Sequence, residues 1–249
     1  DLTYAGGTLS PQFSEIFGND SAWKFTKDGL PILKDVGGTQ SAYLPPYLTG
    51  EGFYGKGTAE NPYEIRNVND LKLLVQKVNG GEAYANTYFK LTTNIDLKNE
   101  EWTPIGTEDT LFQGTFDGDR HQIANLKISN GGEYAGLFGN VWEATIQNCN
   151  VTGEVNGYNY SGGIVGYANN NTHILNCSFQ GNVEGDGEER GGIVGHTSIG
   201  CDVSGCFVTG TVTGEKFVGG IAGWGAGTIK NCYALANVTA AAVSYTHLR

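Results

Sequence analysis

The feature that most constrains this chain is an internal repeat. Four blocks share one form: Ala135-Gly136-Leu137-Phe138-Gly139, Gly162-Gly163-Ile164-Val165-Gly166, Gly191-Gly192-Ile193-Val194-Gly195 and Gly219-Gly220-Ile221-Ala222-Gly223. The glycine at the second position falls at 136, 163, 192 and 220, giving spacings of 27, 29 and 28 residues. A second series runs in phase with the first: Ile146-Gln147-Asn148-Cys149, Ile174-Leu175-Asn176-Cys177, Val203-Ser204-Gly205-Cys206 and Ile229-Lys230-Asn231-Cys232, with cysteines 28, 29 and 26 residues apart. A third pairs Val155 with Gly157, Val183 with Gly185 and Val212 with Gly214.

Each unit therefore carries three short apolar segments separated by Gly/Asn turns. Three strands of about four to six residues with their turns use up such a unit. One unit alone cannot bury its apolar side chains. Stacked on its neighbour at about 4.8 Å, it pairs every strand in parallel and aligns equivalent residues. Ile164, Ile193 and Ile221 are then expected to form one inward ladder, and Cys149, Cys177, Cys206 and Cys232 another. Length variation belongs in turns, for example Asn169-Asn170-Asn171 and Asp186-Gly187-Glu188-Glu189. A propeller or a sandwich is the rival architecture. Four-stranded units normally need ~40 residues or more, and no Asn-Gly or Asp-Gly hairpin separates the segments in each unit. The expected fold is all-β: a right-handed parallel β-helix, or solenoid, of about 28-residue coils with one short N-terminal capping helix.

Composition agrees. Glycine accounts for 39 of 249 residues, well above an average usage of roughly 7 %. Hydrophobic residues reach 39 % and aromatics 11 %, too much for a disordered chain. The balance of 15 Lys+Arg against 26 Asp+Glu gives −11, which disfavours nucleic acid and anionic membranes as partners. No run reaches the ~18 apolar residues of a membrane span. The chain contains no Met, so it is expected to start inside a longer protein or after a processed leader. Val243-Ser244-Tyr245-Thr246-His247-Leu248-Arg249 breaks the repeat and reads as a truncation or cloning scar.

Upstream coils are more degenerate. Tyr88-Phe89-Lys90-Leu91, Ile95-Asp96-Leu97, Thr103-Pro104-Ile105-Gly106, Gly114-Thr115-Phe116 and Ile123 to Ile128 read as strands, with Asp117-Gly118-Asp119 a turn. One helix is predicted over 68–78, where Leu71, Leu74, Val75 and Val78 follow helical spacing. Asn67 or Asn69 can cap its start, Asn79-Gly80-Gly81 stops it, and it can cover the open solenoid end. Trp23-Lys24-Phe25 and Leu30-Pro31-Ile32-Leu33 suggest a short β element around Lys27-Asp28-Gly29. The organisation expected is a small β element or tail over 1–50, a linker over 51–60, the solenoid over 61–242 and the scar over 243–249.

The block Gly162-Gly163-Ile164-Val165-Gly166 and its equivalents resemble the GLUG motif, which occurs in tandem in large bacterial surface proteins. The lead-in is similar to the usual start of such arrays: Asn61-Pro62-Tyr63-Glu64-Ile65, the helix, Leu91 to Leu97, Trp102-Thr103-Pro104-Ile105-Gly106 and Phe112 to Gly118. The resemblance covers about residues 58 to 240, and Trp23 to Leu33 look similar to the tail that closes a preceding array. It implies secretion or display on a bacterial cell surface, adhesin-like or peptidase-associated stalks, and neighbouring arrays in the parent chain. It carries over no catalytic residues and no cofactor. Gly205 departs from the pattern, replacing the Asn before the third cysteine.

The candidate sites are few. Converging pairs such as C-x₂-C are absent, so the cysteines (Cys201 among them) read as buried free thiols ahead of a disulfide or a metal site. His121, His173, His196 and His247 share no ligand-set spacing and read as surface or turn histidines. Asp117 and Asp119 could bind calcium or act as a glycosidase pair, but a solvated turn is the simpler reading. Trp142, Tyr158, Tyr160, Tyr167 and Trp224 lie at or beside turns. They either stack on a glycan or protein partner from the host or cover coil corners. The glycine blocks open no helix and are not nucleotide loops. The function expected is a non-enzymatic secreted or cell-surface module, an adhesin-like stalk or ligand-binding scaffold. The alternatives are a carbohydrate-active β-helix enzyme, which needs carboxylates clustered with Arg or Lys, and the scaffold of a large surface peptidase.

Overall fold

A computed structural model of the chain describes residues 52–243, with side chains through 241, and the backbone of four two-residue strands in the first fifty residues. The chain divides into two compact units, Asp1–Tyr54 and Gly55–Arg249. In the first, Tyr4–Ala5 pairs antiparallel with Thr8–Leu9, and Trp23–Lys24 with Ile32–Leu33. The latter pair is the short β element read from the sequence; its turn at Lys27-Asp28-Gly29 lies outside the described residues, as do Ser244 to Arg249.

The second unit is a parallel β-solenoid of about six turns. Each coil visits three sheets in succession. The first sheet stacks Tyr63–Ile65, Tyr88–Leu91, Thr115–Asp117, Thr145–Gln147, His173–Leu175, Asp202–Ser204 and Thr228–Lys230 in chain order. The second stacks Ile95–Asp96, Gln122–Ile128, Asn150–Asn156, Ser178–Glu184, Phe207–Gly219 and Tyr233–Val243. Ser161–Gly162 and Glu188–Gly191 join the second half of Phe207–Gly219 in that sheet. The third stacks Phe138–Trp142, Val165–Asn169, Val194–Thr197 and Ala222–Gly225. Pairing is parallel throughout, and Phe138, Val165, Val194 and Ala222 lie opposite one another, reproducing the 27-, 29- and 28-residue spacings of the glycine blocks.

This register turns sequence positions into columns. Phe89, Phe116, Ile146, Ile174 and Val203 form one buried column, and Ile105, Phe138, Val165 and Val194 another. Val155, Val183 and Val212 form a third. Ile164, Ile193 and Ile221 are buried as expected, and the amides of Ile164 and Ile193 donate to the carbonyls of Ile193 and Ile221 in the next coil. Cys149, Cys177 and Cys206 are buried free thiols in one column, with Cys232 half-buried at its end. Each of the last three thiols donates to a carbonyl of the coil below: Cys177 Sγ to Ile146 O at 3.6 Å, Cys206 Sγ to Ile174 O at 3.5 Å and Cys232 Sγ to Val203 O at 3.4 Å.

Turn chemistry follows the same columns. Asn148, Asn176 and Asn231 have φ of 53°, 52° and 55°, and Gly205 has 66°. Asn and Gly are the residues that enter the left-handed region at least cost, so the Gly205 replacement preserves the turn. A row missed in the sequence, Gly153, Gly181 and Gly210, lies in register across three coils. A Cβ on Gly210, whose φ is 119°, would fall onto the carbonyl oxygen of Gly181. Some turn assignments shift: Glu188 and Glu189 belong to a strand, and Thr103 to Gly106 contributes only the single bridge of Ile105 to Phe138.

The helix α1 spans Val68–Asn79. Asn67 is its cap, its Oδ1 accepting from the amides of Asn69 at 2.8 Å and Asp70 at 3.1 Å. Leu71, Leu74 and Val78 are buried as expected, but Leu73 is buried too and Val75 only half-buried. The helix lies across the first coil. Lys72 pairs with Glu100, while Asn79 donates to Pro104 O at 3.0 Å and accepts from Gly106 N at 2.8 Å.

Three outcomes are expected. Gly210→Ala should destabilise the solenoid by roughly 3 kcal/mol, because backbone lies on the clashing side; Gly132→Ala, whose Cβ meets open space, should leave the urea midpoint almost unchanged. Cys149, Cys177, Cys201 and Cys206 should resist Ellman's reagent in the folded protein, with all five thiols titrating once it is unfolded. Contact with Cys177 and burial push the Cys206 thiol up to about 12 from an ordinary 9.0. A raised thiol favours the folded state below its unfolded value, so stability measured against pH should fall as the solution passes from about pH 9 to pH 12.

Candidate functional site

The position after the last glycine of each block forms a column on the outside of the third sheet: Asn140, Tyr167, His196 and Trp224 lie opposite one another. Tyr167 stacks on His196 with ring centroids 4.2 Å apart and planes within 7°, and His196 meets Trp224 at 5.0 Å. Tyr160 packs edge-on against both Tyr167 and His196 and stacks with Tyr134 at 5.4 Å. His196 is therefore not a surface or turn histidine: it is a strand residue only 8 % exposed, clamped between rings. Its Nδ1 is 2.6 Å from Glu189 Oε2, so the ring N–H donates to that carboxylate. His173 is exposed and His121 half-buried, while His247 lies outside the described residues.

Two residues along from this column runs a second one, Trp142 opposite Asn169, with Ser198 following Thr197 in the next strand. Together the columns frame a shallow groove of about 410 Å³ with Trp142 at one end and Trp224 at the other. Both indoles are substantially exposed, at 37 % and 47 %. The polar groups between them are held in place. Asn169 Nδ2 donates to Asn140 Oδ1 at 2.7 Å, Ser198 Oγ to Asn169 Oδ1 at 3.3 Å, and Asn170 Nδ2 to Glu143 Oε1 at 2.7 Å. Ile199, 79 % exposed, closes one side.

The five aromatics singled out from sequence thus separate. Trp142 and Trp224 share the groove. Tyr160 and Tyr167 belong to the ring ladder beside it. Tyr158 lies on a second, smaller groove of about 200 Å³ with Tyr160, Glu188, Glu189 and Glu215. Sequence reasoning missed His196 and the asparagines, although the signal was available: His196 follows its block's last glycine as Tyr167 and Trp224 follow theirs.

The second groove rests on Arg190, a fully buried side chain. Its guanidinium donates to Gly157 O at 2.8 Å, to Tyr158 O at 2.6 Å and to Gly187 O, tying the corners of two coils together. Burial pulls its pKa down, and Asp186 and Glu215 partly offset that; the group stays charged at any ordinary pH. In the column Ala135, Ser161, Arg190, Val218 the long side chain fits one corner only.

The remaining candidates are structural. Asp117 Oδ1 accepts from Asp119 N at 2.8 Å and Asn148 Nδ2 at 2.9 Å, and Oδ2 from Gln147 Nε2 at 2.8 Å. Burial alone would raise its pKa, but these donors outweigh it and hold the carboxyl below its usual value. Asp119 pairs with Lys90 at 3.0 Å. Among the described residues, no three or more His, Cys, Asp or Glu side chains gather as a metal site. Arg190→Met, which removes the donor from the carbonyls of Gly157 and Tyr158 and one of two donors from that of Gly187, should cost roughly 3 kcal/mol in chemical denaturation, and Arg190→Lys should recover only part of it.

Comparison with known proteins places this geometry. Residues 157–184, one complete coil, match the family model described as the GLUG motif. The chain is 32 % identical over 166 residues to "Halomucin" of Haloquadratum walsbyi, a stretch that is 59 % of this chain and 2 % of that protein. It is 33 % identical over 108 residues to the "Putative Gly-rich membrane protein" of Evansella cellulosilytica, 40 % of this chain and 12 % of that one. The chain therefore spans only a small part of the length of either relative. A crystal structure titled as a putative immunoglobulin A1 protease from Bacteroides ovatus aligns with 80 % of this chain and 82 % of its own at 22 % identity and a TM-score of 0.42, too distant to carry an argument. With a full coil matched and its block recurring in register above and below, the chain is a β-solenoid that carries the GLUG motif.

Proposed function

We infer that this chain is a non-enzymatic module of an extracellular or cell-surface protein, a stacked-coil scaffold that carries a ligand-binding face. The observation that supports this most is where the reactive side chains have gone. The thiols donate to carbonyls of neighbouring coils, Asp117 holds a turn, and Arg190 staples two corners. These groups hold coil to coil, and the outward aromatic face is what remains available to a partner. The printed names of the relatives, a halomucin and a Gly-rich membrane protein, support placement at the cell surface. The net charge of −11 keeps such a surface away from nucleic acid and anionic lipid.

A carbohydrate-active enzyme would need two carboxylates facing a cleft, one free to protonate or attack. Asp117 accepts three hydrogen bonds within its turn and the neighbouring coil, and Asp119 is paired with Lys90, which supports the non-enzymatic reading. Intact cells producing the parent protein should bind an antibody raised against the coils and lose that signal on treatment with an external protease. The isolated chain should give no product from polysaccharides or proteins. An epitope reached only after lysis, or measurable turnover, would overturn this reading.

A further inference from the structure

We propose that the Trp142–Trp224 groove is a binding site for neutral oligosaccharide chains; this rests on the reading of the chain as a ligand-bearing surface scaffold. Three properties of the groove select that chemistry. First, the large apolar indoles at its two ends are left substantially exposed to solvent, where they can stack on a ligand. They sit on strands three coil steps apart, roughly 14 Å at about 4.8 Å per step. That length suits several linked rings better than a single small molecule.

Second, the mostly apolar lining carries a few side-chain amides and hydroxyls that are fixed in advance. Asn169 is locked by Asn140 and Ser198, and Asn170 by Glu143. Beyond these mutual bonds the amides and hydroxyls keep further donor and acceptor positions, which an apolar peptide would cover without partnering. A hydroxyl-rich chain would satisfy them. Third, no Asp, Glu, Lys or Arg lines the groove, in a chain where acids outnumber bases 26 to 15. The carboxylates of Glu143 and Glu189 are each bonded to a lining side chain, Asn170 and His196, so the lining itself presents no free counter-charge to a charged ligand. A ligand with apolar C–H faces for the rings and neutral hydroxyls for the amides meets all three conditions, and a neutral sugar chain is that ligand. The volume of about 410 Å³ falls in the range of small-ligand sites.

His196 is a positioning residue. Buried between Tyr167 and Trp224 and bonded to Glu189, it sets the tilt of the Trp224 ring.

The test is a titration of the full chain, by intrinsic tryptophan fluorescence and calorimetry, with cellohexaose, maltohexaose, mannohexaose and chitohexaose, beside polygalacturonate and an amphipathic peptide. Saturable binding of at least one neutral hexaose is expected. Trp142→Ala and Trp224→Ala should each weaken it by about tenfold or more, while the folded state is kept and the melting temperature falls by only a few degrees, as both side chains lie at the surface. Tyr158→Ala, on the other groove, should leave it intact. Glu189→Gln should weaken binding less than either tryptophan variant while shifting the tryptophan emission. Absence of saturable binding to every neutral probe would overturn the proposal, as would binding that both tryptophan variants retain. Tryptophan-dependent preference for the peptide or for polygalacturonate would overturn it in favour of a protein or acidic-polymer site. A null result with all probes leaves the surface-scaffold reading standing as a spacer, whereas cleavage of a probe would overturn that reading and not the site.

Discussion

The backbone pairing of each coil with the next, parallel and in register, is the interaction on which everything else in the solenoid rests. No coil has a core of its own. Its apolar side chains become interior only because equivalent residues lie above and below, as Val155 does under Val183 and Val183 under Val212. The same register sets what each position tolerates. Gly181 and Gly210 sit where the neighbouring carbonyl occupies the space of a Cβ, and Asn148, Asn176, Gly205 and Asn231 sit where the chain must enter the left-handed region. A parallel stack also has two ends. At one, α1 lays Leu71, Leu74 and Val78 against the first coil. The last of the described strands, Tyr233–Val243, pairs with Phe207–Gly219 and alternates half-buried and exposed residues through Ala241.

Polar chemistry in this fold is spent on cohesion between coils. An unpaired buried donor or acceptor is costly, and here carbonyls at coil corners are met by Cys Sγ and by the Arg190 guanidinium. Arg190 shows how irregular the solution can be. Its column otherwise holds Ala135, Ser161 and Val218, yet one long cationic side chain bridges two loops where the glycines leave room. The outward faces are under no such constraint, and residues there can vary without disturbing the stack. Function in a solenoid is therefore sought on the outside, where a column crosses several coils and presents similar groups at regular intervals.

Much of this was legible in the sequence because period and chemistry coincide. The glycine blocks, the Ile/Val-x-Asn-Cys segments and the Val/Gly pairs recur in phase, and phase is what stacking converts into columns. Legibility failed where a residue's role is set by its neighbours in adjacent coils. His196 read as an isolated histidine because histidine does not recur; its column is Asn, Tyr, His, Trp, a series of shape and position but not of residue type. In α1, helical spacing marked Val75 as buried, while the first coil covers Leu73 more fully, because the end of the coil wraps more of the helix than a single stripe. Gly205, which looked like a departure, keeps the turn: both Asn and Gly reach the same backbone region.

The sequence by itself determined the architecture. A unit of about 28 residues, too short for four antiparallel strands and too small to close a core, leaves parallel stacking as its way of burying Ile, Val and Cys. It also determined the chain's net charge of −11, which disfavours anionic partners. Tertiary structure alone decided which outward side chains share a surface. Trp142 and Trp224 are 82 positions apart in the chain and meet at one groove because successive strands advance by a single strand spacing, so residues remote in sequence become neighbours across a few coils.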